Sequence, residues 1–280
     1  MTYSSPVQIC NLTKYYKYGV RGLLKKALDD VSFSLEENEI LGLIGANGAG
    51  KSTTIKILIG AIKQSAGQCL VFGKPLSKNV RKEIGYLPES PYFYKFLTGF
   101  ELVSFYAKLS GLSSSQAKQA TMKALNLVGL DDAANRQIGL YSKGMVQRAG
   151  LAQAIVHNPK LVILDEPASG LDPVGSADMA EIILRLKKEG KSILLCSHIM
   201  SEVETLCDRI VALSKGKVVA LGKVDELLGR ENFTDMTFNT NDNDKLEAIS
   251  TSAKSLGVEM IEKRPAKMSL AEFFKSRISK

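Results

Sequence analysis

The chain has 280 residues, 45% of them apolar, and its 37 Lys and Arg against 29 Asp and Glu give a net charge of +8. That composition suits a globular protein with one large core, or a core with an appendage, and excludes a fibrous, disulfide-framework or wholly disordered chain. The charge suits a nucleotide, a nucleic acid or an anionic membrane face; with no run of five basic residues, a nucleic-acid partner is not expected. No apolar run approaches the roughly 18 residues of a membrane span. The first ten residues lack the basic and then apolar regions of a signal peptide, so a soluble cytoplasmic chain is the expectation. Cys10, Cys69, Cys196 and Cys207 form no C-x-x-C pair and read as buried thiols.

In chain order, residues 7–12 and 31–35 read as strands, with Lys14 to Lys26 between them as a basic loop carrying Tyr15, Tyr16 and Tyr18. Those tyrosines either stack on a base or cover surface area. Ile40 to Ile44 is an apolar run that breaks into Gly45-Ala46-Asn47-Gly48-Ala49-Gly50-Lys51-Ser52-Thr53, the full G-x-x-x-x-G-K-[ST] spacing. Ile55, Leu58, Ile59 and Ile62 then recur at helical spacing. A loop that turns its amide hydrogens onto a triphosphate leaves little room for Cβ atoms, hence the glycines. The helix N-terminus and Lys51 add positive charge, and the Ser52 hydroxyl suits a Mg²⁺ ligand.

CLVFG (69–73) and Ile84 to Leu87 read as strands. Pro88 to Phe96 packs four aromatics and two prolines into nine residues, either a docking surface or core packing. Capping boxes at Thr98/Glu101 and Ser113/Gln116 start two helices that Gly111 and Gly129 end, so residues 88–158 are expected to be all-helical. Ser142 to Gly144 opens a further helix. Strand LVILD (161–165), a helix begun by Asp172 and Pro173, strand SILLC (192–196), a helix begun by a Ser201/Glu204 capping box, RIVAL (209–213) and VVAL beyond a turn at 215–217 complete a three-layer α/β core. After the polar stretch 232–244, a helix (245–256), a strand (258–262) and a helix from Ser269 with Leu270, Phe273 and Phe274 on one face read as a small α/β appendage. The expected domains are therefore 1–229 and 230–280.

Asp165 and Glu166 end a strand of continuous apolar character, where α/β sheets place their ligand sites. Asp165 suits Mg²⁺ held through water, and Glu166, pointing differently, suits orienting or deprotonating an attacking water. His198 follows SILLC and suits a hydrogen bond to a γ-phosphate, whereas His157 reads as a helix-end surface residue.

The phosphate loop, YSKGMVQR (141–148), LVILDEP (161–167), SGLD (169–172) and SHIMSEVE (197–204), in that order, closely resemble the ATPase subunit of an ABC transporter over residues 7–229. The resemblance implies a P-loop core with a parallel sheet, an antiparallel β subdomain and an inserted helical subdomain at 88–158. It implies two chains sandwiching two ATP molecules with Mg²⁺, each ATP held by one chain's phosphate loop and the other's signature segment. Carried over, Ser142 and Gly144 meet the γ-phosphate across the dimer, Asp172 lies at the seam, His198 is the switch histidine, and Tyr16 is the base-stacking aromatic. Glu89 stands where the family usually has a Mg²⁺-touching Gln, and YSKGM replaces the usual LSGGQ. Both variants resemble ATPase subunits of exporters, peripheral on the cytoplasmic face beside separate permease subunits, whose coupling helix would meet Pro88 to Phe96. The alternative class is a soluble ABC ATPase acting in repair, translation or iron–sulfur assembly.

Overall fold

A computed structural model of the chain describes residues 5–18, 23–228, 240, 242–256 and 258. Its first unit, residues 1–228, begins with β1 (Val7–Tyr18), β2 (Leu23–Leu35), β3 (Ile40–Ile44), α1 (Lys51–Leu58), β4 (Ala66–Val71) and β5 (Lys74–Pro75). There follow the short α2 (Lys78–Arg81), β6 (Ile84–Leu87), α3 (Gly99–Leu109), α4 (Ser114–Leu127), a 3-10 turn (Ile138–Leu140) and α5 (Lys143–Ile155). β7 (Leu161–Asp165), α6 (Pro173–Lys188), β8 (Ser192–Cys196), α7 (Met200–Leu206), β9 (Arg209–Ser214), β10 (Lys217–Lys223) and α8 (Val224–Leu228) close it. The second unit, residues 229–280, carries α9 (Asn243–Ser255) among its described residues. The strand expected at 258–262 and the helix expected from Ser269 lie outside the described residues.

Two sheets build the first unit: an antiparallel one ordered β2-β1-β4-β5, and a six-stranded one ordered β10-β9-β3-β8-β7-β6, parallel except for β10. Every residue of β7 and β8 is buried, as strands covered on both faces must be. Because β8 lies between β3 and β7, the carboxyl ends of three strands sit side by side. The register pairs Cys196 with Leu43 on one flank and with Asp165 on the other. The glycine loop, the carboxylate pair and His198 leave the sheet there.

Residues 14–18 and 23–26 are not loop, and Tyr15 and Tyr16 are strand residues: β1 and β2 pair there as an antiparallel ribbon with Tyr15 opposite Lys26 and Tyr16 opposite Lys25. That ribbon is largely exposed on both faces, so its sequence lacks the alternation that marks a half-buried strand. Residues 69–73 also differ from expectation: β4 starts at Ala66, and Phe72 leaves the strand with a φ of 51°. The region 88–158 is helical only from Gly99, Pro88 to Thr98 being irregular. Both capping boxes that start α3 and α4 are present, since they depend only on side chains three residues apart. The Ser201/Glu204 box is absent. α7 begins at Met200, and the Ser197 hydroxyl accepts from the Ile199 amide at 3.1 Å while donating to Glu202 at 3.0 Å. Of the four thiols, Cys10 is exposed and the other three are buried.

Candidate functional site: a phosphate loop beside two carboxylates

The loop between β3 and α1 is built by its glycines. A Cβ on Gly45 (φ 147°) would run into the Leu213 carbonyl, and one on Gly50 (φ 115°) would lie 2.6 Å from Leu28 Cδ2. The loop is braced from behind where the Gly216 amide donates to the Ala49 carbonyl at 2.9 Å. α1 starts at Gly50 with no side-chain cap, so its first-turn amides are not taken up by a capping side chain. Lys51 is buried, its Nζ donating to Gly45 O at 2.6 Å and reaching Ala46 O at 3.4 Å. Thr54 turns inward to the Gly50 carbonyl, Thr53 is half-buried, and Asn47, Gly48 and Ser52 are exposed along the mouth.

Asp165 and Glu166 are buried at the end of β7. Burial holds the Asp165 carboxyl above its ordinary range, and the Glu166 and Glu89 charges push the same way while Lys51 opposes them. The buried Asp165 carboxyl, with the charges of Glu166, Glu89 and Lys51 acting on it, is an oxygen donor of the kind a hard divalent cation takes. Glu166 has a left-handed backbone (φ 52°), an uncommon geometry for a non-glycine residue. Its amide donates to Cys196 O at 2.8 Å, and its Oε2 lies 2.6 Å from His198 Nδ1 and accepts from the His198 amide at 3.3 Å. The structure therefore brings Glu166 and His198 into direct contact and leaves the imidazole otherwise exposed. His157 is not a surface residue. Its Nε2 meets Ile84 O at 3.2 Å, its Nδ1 is buried without a partner, and burial lowers its pKa.

Ser142 and Asp172 are N-caps, accepting from the amides of Met145 at 3.2 Å and Gly175 at 2.7 Å. With Lys143, Gly144, Gly170, Leu171 and Gly175 they line one open cleft of about 400 Å³, in which the Lys143 amine lies against Gly170. No residue of Gly45 to Thr53 lines this cleft. Within one chain the signature segment and the phosphate loop are thus two separate surfaces. Tyr16 is partly exposed, with the Lys14 amine 5.4 Å from its ring centroid. Glu89 is exposed. Sequence reasoning passed over Gln147, whose Nε2 donates to Glu89 O at 2.9 Å; in the sequence nothing separates it from Arg148 and Gln153 on the same helix, and only its burial does.

Residues 28–169 match the protein family described as ABC transporter. An uncharacterized ABC transporter ATP-binding protein of Nostoc is 46% identical over 232 residues, covering 81% of this chain and 69% of the relative. This chain belongs to the ABC transporter family of ATP-binding proteins. Its activity is ATP hydrolysis. The bacitracin transport ATP-binding protein BcrA of Bacillus licheniformis is 38% identical over 231 residues, covering 81% of this chain and 72% of that protein. The solved ATP-binding subunit of an ABC transporter superposes with a TM-score of 0.71 at 31% identity, over 88% of this chain and all of the other. The dimeric ATP-binding cassette MJ0796 bound to ADP and phosphate shares the fold at a TM-score of 0.71 and 24% identity, over 78% of this chain and 98% of that one. Among the described residues no helix is long and apolar enough to cross a membrane.

Proposed function

We propose that this ATPase works as a pair of identical chains that close on two ATP molecules, and that closing and reopening drive a separate membrane-embedded permease, in the direction of export. One observation carries the reading: the surface formed by Ser142, Gly144 and Asp172 is open, lies at two helix N-termini, and is distinct from the phosphate loop of its own chain. Each surface is half a phosphate site. The solved relative MJ0796 is described as a dimer with ADP and phosphate, which fits such an arrangement.

Within a composite site the loop amides from Gly45 to Gly50 and the start of α1 bind the phosphate oxygens, and Lys51 exchanges its carbonyl partners for the outer phosphates. The donor set fits Mg²⁺: Ser52, Asp165 and, from its mobile-length side chain, Glu89 would hold it, and when bound it neutralises charge between the outer phosphates. Glu166, held by His198, accepts a proton from the attacking water. His198, with its other ring nitrogen free to turn outward, donates to the γ-phosphate. Ser142 and Gly144 of the second chain stabilise the charge that develops. Tyr16 stacks on the base. Export rests on likeness to proteins named for bacitracin transport and linearmycin resistance. The permease reading is supported by Tyr92, Tyr94 and Phe96, 88%, 67% and 68% exposed. Such a patch on the cytoplasmic side of a membrane would receive a partner.

A complementation experiment tests the split site. Ser142→Arg removes one half and Lys51→Ala the other; losing one preorganised donor costs roughly 2.7–4 kcal/mol, so each chain alone should fall about 100- to 1,000-fold in turnover. Mixed, they can assemble one intact composite site, and ATPase activity should reappear. A mixture no more active than its parts would place the whole site in one chain.

A further inference from the structure

We propose that Gln147 is a positioning residue that couples the Glu89 loop to the signature segment, so that the Mg²⁺ side of one ATP site and the surface offered to the other chain move together. The inference rests on the two-chain reading above.

Gln147 is 2% exposed in α5, roughly 7–8 Å along the helix from its Ser142 cap. Its Nε2 donates to the Glu89 carbonyl at 2.9 Å, while its Oε1 is buried with no partner. One turn on, at Gly150, a Cβ would lie 2.7 Å from Leu87 Cδ1 and 3.3 Å from Pro91 Cβ. Positions 147 and 150 share a helix face, so α5 grips the Leu87 to Pro91 segment at two points, one polar and one steric. The contacts around Gly150 leave little room to slide, and the amide fixes the register.

Stability does not account for the choice of glutamine. A buried amide with an orphaned acceptor loses the hydrogen bond that water gave it, and an apolar side chain of the same length would fill the space without that loss. What the amide adds is direction. It holds the backbone of Glu89, whose carboxylate acts electrostatically on Asp165. A shift of the Glu89 loop toward or away from Asp165 is therefore carried by Gln147 to the α5 N-terminus, where Ser142 and Gly144 lie. Glu89 keeps its side chain exposed and free to follow.

The test uses Gln147→Met, which keeps length and removes both the donor and the orphaned acceptor, and Gln147→Glu, which keeps size and polarity but presents oxygen to oxygen. Gln147→Met should retain the wild-type melting temperature within about 3 °C, Gln147→Glu should fold with a lower one because it buries a carboxyl against a carbonyl, and ATP binding to monomer without Mg²⁺ should be unchanged in both. In an otherwise unaltered chain, the Mg²⁺ concentration for half-maximal hydrolysis should rise about tenfold, the usual scale for losing a supporting contact behind a metal ligand. In a Glu166→Gln background, the MgATP needed for half-maximal dimerisation should rise about fivefold or more. A purely structural role would lower the melting temperature of Gln147→Met and leave both midpoints alone. Wild-type midpoints in either folded variant overturn the inference. If Glu166→Gln alone fails to dimerise with MgATP, the two-chain reading falls, and the Mg²⁺ midpoint still decides whether Gln147 positions Glu89.

Discussion

Glu166→Gln changes one carboxylate oxygen to an amino group without changing size. Glu166 is 7% exposed, with its Oε2 2.6 Å from His198 Nδ1 and accepting from the His198 amide at 3.3 Å. The oxygen of glutamine can take over as acceptor, so what is lost is the charge assistance of one or two hydrogen bonds. Hydrogen bonds to charged groups contribute about 1.5–3 kcal/mol against about 0.5–1.5 for neutral ones, and the substitution also removes a buried charge, so the net change in stability should stay near 1 kcal/mol. Catalysis should suffer far more. A positioned general base contributes roughly 100- to 10,000-fold, or about 2.7–5.4 kcal/mol of barrier. Lys51, Gly45 and Gly50 are untouched, so ATP affinity should hold. Phosphate release at saturating MgATP, with gel filtration of the same sample, should show turnover reduced by at least about 100-fold and an ATP-held dimer. Hydrolysis within about tenfold of wild type would refute the assignment of the proton to Glu166.

The buried, raised Asp165 carboxyl gives a stability prediction with a definite sign. Its folded pKa lies above the ordinary 3.8, so the cost of burying the anion is fully present above the folded pKa and is relieved as pH falls toward the unfolded value. Without Mg²⁺, Asp165→Asn should melt roughly 2–4 °C higher than wild type at neutral pH, with the gap narrowing on acidification and ATPase activity lost; a lower melting temperature at neutral pH would show that the anion is stabilised in the fold. For the exposed aromatics, replacing Tyr92, Tyr94 and Phe96 together with serine should leave basal ATPase near wild type and reduce recovery of an integral membrane protein in pull-downs from membranes. Undiminished recovery would move the docking surface elsewhere. Phe93 is left alone because it packs against the core.

Much of this protein is legible in its sequence wherever the determinant is local. Thr98 with Glu101 and Ser113 with Gln116 start helices because a cap needs only neighbours three residues away. Leu161 to Asp165 and Ser192 to Cys196 are strands because continuous apolar runs of that length belong between two layers. Gly45, Gly50 and Lys51 are likewise readable, their spacing being the geometry of the loop itself. Residues 14–18 and 23–26 were misread because hydrogen bonds across the ribbon, not burial, make them strand. The capping pattern at Ser201 fails because α7 already starts at Met200, with Ile199 at the cap position and no side chain bonded to the first turn.

The sequence by itself determined the chemistry: a phosphate loop, an adjacent pair of carboxylates and a histidine after a buried strand, each a short-range pattern. Only the tertiary structure decided how these meet. Placing β8 between β3 and β7 sets Glu166 against His198 across 32 positions of chain, and packing α5 on Leu87 and Pro91 ties Gln147 to Glu89. The separation of the Ser142 cleft from Gly45 belongs to the same level. Contacts of that kind are products of strand order and layer packing, and no local pattern of residues encodes them.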